Sequence, residues 1–276
     1  MLLEWLYPLA KYFSPLNVFR YLTFRSAYAA VTALLVAFLF GPWIIERLRS
    51  FKFGQSVRAD GPQTHLAKTG TPTMGGLLVL AAVIIATLLW GDLSNRYTWI
   101  CLISMVGFGG VGFMDDWLKI KKKNSDGLSA KAKLAGQFLV AGAAVMALYL
   151  DPTESTTLLY VPFFKDAVVD LGFFYVPLAM IFVVWWSNAV NLTDGLDGLA
   201  IGLVMMTVIA LGIITYISGR ADWSSYLGIP FIRDASELTV FVLALLGACV
   251  GFLWFNAHPA EVFMGDVGSL SLGGVI

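Results

Sequence analysis

The chain has 276 residues, 58% of them hydrophobic and 13% charged, with a mean hydropathy of +0.78. A water-soluble domain carries about 25% charge, so this composition excludes a soluble enzyme and describes a polytopic membrane protein. Eighteen Lys and Arg balance eighteen Asp and Glu, and no basic stripe is interleaved with aromatics, so nothing points to nucleic acid as a partner.

Residues 1–20 hold Trp5, Tyr7, Lys11, Tyr12, Phe13 and Phe19, the mixture of an interfacial segment, and lack the small-residue cleavage site of a signal peptide. Apolar runs long enough to cross about 30 Å of hydrocarbon then occur at 26–45, 74–92, 97–114, 134–150, 171–187, 198–217 and 238–255, and an eighth begins near Val267. Gly41-Pro42 predicts a kink near the end of the first. Cys101 and Cys249 lie inside apolar runs and read as buried free thiols. Trp185, Trp186 and Trp254 sit at span ends as aromatic anchors. The expected fold is an all-α membrane helix bundle, with seven complete spans plus the start of an eighth.

Alternating spans put loops 46–73, 115–133, 188–197 and 256–267 on one side. These carry eleven basic residues: Arg47, Arg49, Lys52, Arg58, Lys68, Lys119, Lys121, Lys122, Lys123, Lys131 and Lys133. The opposite loops carry Arg96, Lys165, Arg220 and Arg233, and Lys11, Arg20 and Arg25 before the first span raise that side to seven. The positive-inside rule makes the first set cytoplasmic and the N-terminus periplasmic. Asp115, Asp116, Asp194, Asp197 and Asp266 then all face the cytoplasm.

Four segments carry the candidate chemistry. His65–Gly76 offers Lys68, Thr73, further hydroxyls and glycines, a phosphate-contacting composition without the order of a nucleotide-binding P-loop. Asp115 and Asp116 end the third span, and on a continuing helix Lys119 stands i+4 and i+3 from them. Adjacent side chains diverge by roughly 100°, so the pair would not readily chelate one ion together; a helix end meeting solvent would read alike. In the third segment Asn188, Asn191, Asp194 and Asp197 recur every third residue, a row that a 3₁₀ or broken turn aligns, with Gly195 and Gly198 permitting the break. The fourth, Asn256 to Ser269, surrounds Asp266 with glycines at a helix start. That suits an anion with its Mg²⁺, or simple capping by Asp266 or Ser269. His65 and His258 are the only histidines, which makes a zinc site improbable. Acids, lysines and glycine-rich turns without a hydride or zinc motif point to Mg²⁺-assisted phosphoryl transfer.

The motifs Asp115-Asp116-x-x-Lys119, Asn188-x-x-Asn191-x-x-Asp194-Gly195-Leu196-Asp197-Gly198 and Phe263-Met264-Gly265-Asp266-x-Gly268-Ser269 resemble those of the polyprenyl-phosphate N-acetylhexosamine-1-phosphate transferases. Thr71–Gly76, Val161–Asp166 and Tyr21–Arg25 best fit the members that work in peptidoglycan synthesis. The resemblance implies a multi-pass protein of the bacterial inner membrane. It would transfer phospho-N-acetylmuramoyl-pentapeptide from UDP-N-acetylmuramoyl-pentapeptide to undecaprenyl phosphate, with Mg²⁺, releasing UMP. Asp266, with Asp116, would hold the metal. Asp115 would deprotonate the lipid phosphate, supported by Asp116. Lys68, Thr73, Lys119 and Lys131 would meet phosphates or sugar. Asn188, Asn191, Asp194, Gly195, Asp197, Asn256, Phe263, Gly265 and Ser269 would line the donor pocket. A sibling enzyme using UDP-N-acetylglucosamine and a non-catalytic binding fragment are the alternatives, and a homodimer is compatible with the sequence.

Members of this superfamily have ten membrane helices and a late loop with clustered histidines, whereas Ile276 falls within the eighth apolar run. The expectation is one membrane-embedded transferase domain, residues 1–276, incomplete at its C-terminus and weakly active or inactive alone.

Overall fold

The computed structural model describes residues 1–50, 71–122, 127–161, 164 and 169–276. The short helix α1 (Leu2–Leu6) and two 3₁₀ turns lead into α2 (Leu22–Ser50). Then follow α3 (Gly76–Trp90), α4 (Arg96–Lys122), α5 (Ala130–Leu150), α6 (Tyr175–Thr193), α7 (Leu199–Ser218), the short α8 (Ala221–Leu227), α9 (Leu238–Asn256) and α10 (Gly265–Val275). The only strand pairing among the described residues is a two-residue antiparallel ribbon, β1 (Leu158–Leu159) on β2 (Val169–Asp170). This is the all-α membrane bundle that the apolar runs predict.

Six helices among the described residues are long and apolar enough to cross a membrane. The second expected span differs: α3 has 15 residues, about 22 Å at 1.5 Å per residue, short of the hydrocarbon thickness. It lies inside the bundle, with Leu78, Val79, Ala82, Val83 and Ala86 buried, so neighbouring helices set its length rather than lipid. Its start is fixed by Met74 at φ +71°, and it stops at Gly91.

Small residues let the central helices approach closely. Ala29, Ala33, Ala37 and Gly41 form a buried i,i+4 stripe on α2. It receives α9, where a Cβ on Gly247 would stand 2.0 Å from the Ala30 carbonyl oxygen. Gly251 meets Ala37 and Gly41 meets Phe255, so α2 and α9 run parallel, as two spans with an odd number of spans between them must. Large exposed residues such as Leu39, Leu139, Met206 and Trp254 cover the outside, which suits lipid contact.

The two ends of the bundle differ. At one end, Arg25 forms a bidentate pair with Glu237 at 2.8 and 2.6 Å and donates to the Trp90 carbonyl oxygen. At the other, α4, α6 and α9 end and α3, α7 and α10 begin. That end holds all five aspartates singled out in the sequence.

Candidate active site

The helix α10 is the keystone of this end. Segment 72–76 clamps its entry: Phe263 N–H donates to the Pro72 carbonyl, and Gly75 and Gly76 N–H groups donate to the Phe263 and Met264 carbonyls, each at 2.8 Å. Gly265 then turns the chain with φ +71°. A Cβ there would fall 2.6 Å from Asp116 Oδ2 and 2.9 Å from Thr73 Oγ1, so both torsion and space require glycine. The first turn of α10 lies against α4, where a Cβ on Gly112 would reach 2.1 Å from the Asp266 carbonyl oxygen. Farther along, Ser187 on α6 donates to the Leu270 carbonyl at 2.9 Å. Asp266 is thereby wedged between α4 and α6.

Around it the polar groups converge. Helix α4 continues past the end of its apolar run, so Asp115 and Asp116 are both buried on it. Asp115 Oδ1 accepts the Leu128 N–H at 2.7 Å, and Asp116 Oδ2 accepts the Val267 N–H at 3.2 Å. One oxygen from each of Asp115, Asp116 and Asp266 lies within 4.8 Å of the others, a group that could hold a metal ion. Adjacent carboxylates that diverge on an ideal helix thus each bring one oxygen close to the third acid. Backbone donors from two other segments swing the carboxylates inward, and the third acid arrives between them. Three hard oxygen donors suit Mg²⁺, and the fit is favourable.

Two lysines balance these charges. Lys119 Nζ lies 2.5 Å from Asp115 Oδ2, 3.1 Å from Asp266 Oδ2 and 3.6 Å from Asp116 Oδ1. Lys133 Nζ is 2.6 Å from Asp266 Oδ2 and 3.8 Å from Asp115 Oδ2. Asn191 Nδ2 donates to Asp266 Oδ1 at 2.9 Å and to Ser269 Oγ at 3.0 Å, and Ser269 Oγ donates to the Gly265 carbonyl. Asp266 therefore does not cap α10, as one sequence reading allowed: its side chain faces the lysines and Asn191.

The remaining expected residues form the neighbourhood. Asn188 and Asn191 belong to the regular helix α6, and the break that spacing suggested comes only after Thr193, with Gly198 at φ +73°. Burial, with the Asp266 and Asp197 charges near it, pushes the Asp194 carboxyl up to about 7. Asp197 Oδ2 meets His258 Nδ1 at 3.1 Å. Asn256 is buried and spans two loops, accepting the Gly198 N–H at 3.1 Å and donating to the Val262 carbonyl at 2.9 Å. Thr73 is buried beside Gly265, Phe263 is half-buried, and Gly195 is exposed. Lys131 is exposed, and Lys68 lies outside the described residues.

Two residues of this neighbourhood escaped the sequence reading. Lys133 was only counted among basic loop residues, yet it grips Asp266; Gln137 is buried one turn farther along α5. The signal was available: two polar residues at i,i+4 entering an apolar run share a face.

Comparison with known proteins identifies the family. The profile described as glycosyl transferase family 4 matches residues 98–276. A phospho-N-acetylmuramoyl-pentapeptide-transferase of Thermodesulfovibrio yellowstonii is 52% identical over 277 residues, covering all of this chain and 77% of the relative. Proteins of the same name from Pelobacter propionicus and Citrifermentans bemidjiense are each 51% identical over 276 residues, with the same coverage. Identity at this level along the whole chain, with the acids and lysines gathered at one end of a multi-pass bundle, shows that the chain belongs to the phospho-N-acetylmuramoyl-pentapeptide-transferase family.

Proposed function

We infer that this protein transfers phospho-N-acetylmuramoyl-pentapeptide from its UDP carrier to undecaprenyl phosphate, giving lipid I and UMP, at the cytoplasmic face of the bacterial inner membrane. The observation that carries the reading is the meeting of Asp115, Asp116 and Asp266 with Lys119 and Lys133 at one end of a membrane bundle. The relatives' shared name supports the muramoyl-pentapeptide donor over UDP-N-acetylglucosamine. The sequence's excess of basic residues, eleven on the loops predicted for this side against seven on the other, supports a cytoplasmic site.

Phosphoryl transfer asks mainly for positioning and for charge compensation. Asp116 and Asp266 would hold Mg²⁺, which neutralises charge on the donor diphosphate when bound. Lys119 and Lys133 supply positive charge held beside the acids, placed to meet phosphate oxygens as the substrates enter. Asp115 is the proposed acceptor of the lipid-phosphate proton; Leu128 N–H and Lys119 orient its two oxygens. Asn191 and Ser269 fix the Asp266 carboxylate from the α6 side. The half-buried Phe263 and the acids Asp194 and Asp197 border the proposed donor pocket, with Asn256 bracing the loops that carry them. Residues 1–276, which span 77% of the relatives' length, belong to one membrane-embedded transferase domain.

The test is transfer in detergent with Mg²⁺ and undecaprenyl phosphate, offering each UDP-sugar separately. Lipid-linked product and UMP from the muramoyl-pentapeptide donor alone are expected, at a low rate for residues 1–276 by themselves. Equal use of UDP-N-acetylglucosamine, or nucleotide binding without product, would overturn the assignment.

A further inference from the structure

Gln137 has no part in the proposed chemistry, yet it is 0% exposed inside a membrane-length helix. Its amide pairs head to tail with that of Asn188: Gln137 Nε2 donates to Asn188 Oδ1 at 3.3 Å, and Asn188 Nδ2 donates to Gln137 Oε1 at 2.7 Å. Asn188 Nδ2 also donates to the Val184 carbonyl at 2.8 Å. The contacts of Asn188 are thus with the bundle, although the sequence suggested substrate.

The place of this bridge is what gives it meaning. On α5, Lys133 stands one turn before Gln137; on α6, Asn191 stands one turn after Asn188. Those two outer residues take the two oxygens of Asp266, Lys133 at Oδ2 and Asn191 at Oδ1. Bridge, helix turns and carboxylate close a ring through α5, α6 and α10. Helix α5 otherwise packs on α4 and α6 through apolar contacts such as Val140 against Gly107 and Gly142 against Met180. Of its 21 residues Gln137, Ala141 and Val145 are buried, so Gln137 is its one buried polar anchor. An amide separated from its partner there has no water to turn to.

We propose that Gln137 and Asn188 are positioning residues, an interhelical amide bridge that holds Lys133 and Asn191 on Asp266. The proposal rests on reading the Asp266 cluster as the reacting site, so its test includes a readout independent of turnover. Lys133 paired with Asp266 is shielded from amine-reactive reagents, whereas exposed Lys131 serves as an internal control. The purified full chain is labelled in detergent and each lysine followed by mass spectrometry. In Gln137→Leu, and in Gln137→Leu with Asn188→Leu, Lys133 labelling rises roughly fivefold or more while Lys131 labelling is unchanged. The double variant removes both partners together and so keeps the fold should the single one lose it. Reciprocal exchange, Gln137→Asn with Asn188→Gln, restores protection.

In turnover, Gln137→Leu lowers kcat about tenfold but changes it less than about twofold in a Lys133→Ala background, the non-additivity of residues acting through one another. Unchanged Lys133 labelling in the folded double variant, or additive effects on kcat, would overturn the bridge. Residues 1–276 alone are expected to turn over weakly or not at all, so where turnover is too low to compare, labelling alone decides the bridge.

Discussion

Lys133 Nζ donates to Asp266 Oδ2 across 2.6 Å, whereas Lys131, two residues earlier on the same helix, is exposed. Residues two apart on a helix lie on nearly opposite faces, so only one of these lysines can serve the acids. Replacing Lys133 with Ala should lower kcat/KM for UMP release about 10²-fold, the size expected for one preorganised electrostatic partner. The Lys131→Ala variant should stay within about twofold. Steady-state kinetics of both variants in the same detergent checks the contrast.

Gly265 stands where backbone torsion and packing both refuse a side chain. A Cβ at φ +71° and 2.6 Å from Asp116 Oδ2 must displace either the carboxylate or the start of α10. Gly265→Ala should cost about 1–3 kcal/mol of stability and weaken divalent-cation binding, because Asp116 is a proposed ligand. Thermal unfolding and Mn²⁺ titration measure the two effects separately. Gly195, exposed and with open space around it, should accept Ala with little change in either.

Much of this arrangement was legible in the sequence because a bilayer limits the choices. Apolar runs located the helices, and alternation of spans brought Asp115, Asp194, Asp197 and Asp266 to one end. Side-chain direction was less legible. Asp115 and Asp116 diverge on an ideal helix, and the sequence does not show the tertiary donors, Leu128 and Val267 N–H, that each carboxylate meets. Lys131 and Lys133 are equivalent in composition, and the start of α5, capped by Ser129, selects between them. The shortness of α3 was hidden as well, since hydropathy does not separate burial in protein from burial in lipid.

With its carboxyl pushed up to about 7, Asp194 is protonated in about half of the chains at neutral pH. A cation bound among the nearby acids favours the ionised form, so binding releases protons near pH 7. Cation affinity therefore rises as pH passes through about 7 and levels off above it. Calorimetry of Mn²⁺ binding in two buffers of different ionisation enthalpy should show this release, reduced in Asp194→Asn. Equal release from both proteins would assign the protons elsewhere.

The Arg25–Glu237 pair tests the far end of the bundle. Arg25 is 3% exposed, and its Nε has no partner among the described residues, so Glu237 carries most of its compensation. Glu237→Ala should cost about 3–5 kcal/mol by leaving a buried charge unpaired, while Arg25→Met with Glu237→Leu recovers most of that loss. Unfolding in detergent reads both variants. The acids at the other end should keep their Mn²⁺ affinity in the double variant.

The most direct measurement is Mg²⁺-dependent UMP release from UDP-N-acetylmuramoyl-pentapeptide and undecaprenyl phosphate, compared between the unaltered chain and Asp115→Asn, Asp116→Asn and Asp266→Asn. Each substitution should lower the rate about 10²-fold or more, and chelation of Mg²⁺ should silence the unaltered chain. UMP release that persists in Asp266→Asn, or that survives chelation, would contradict a reaction centred on these three carboxylates.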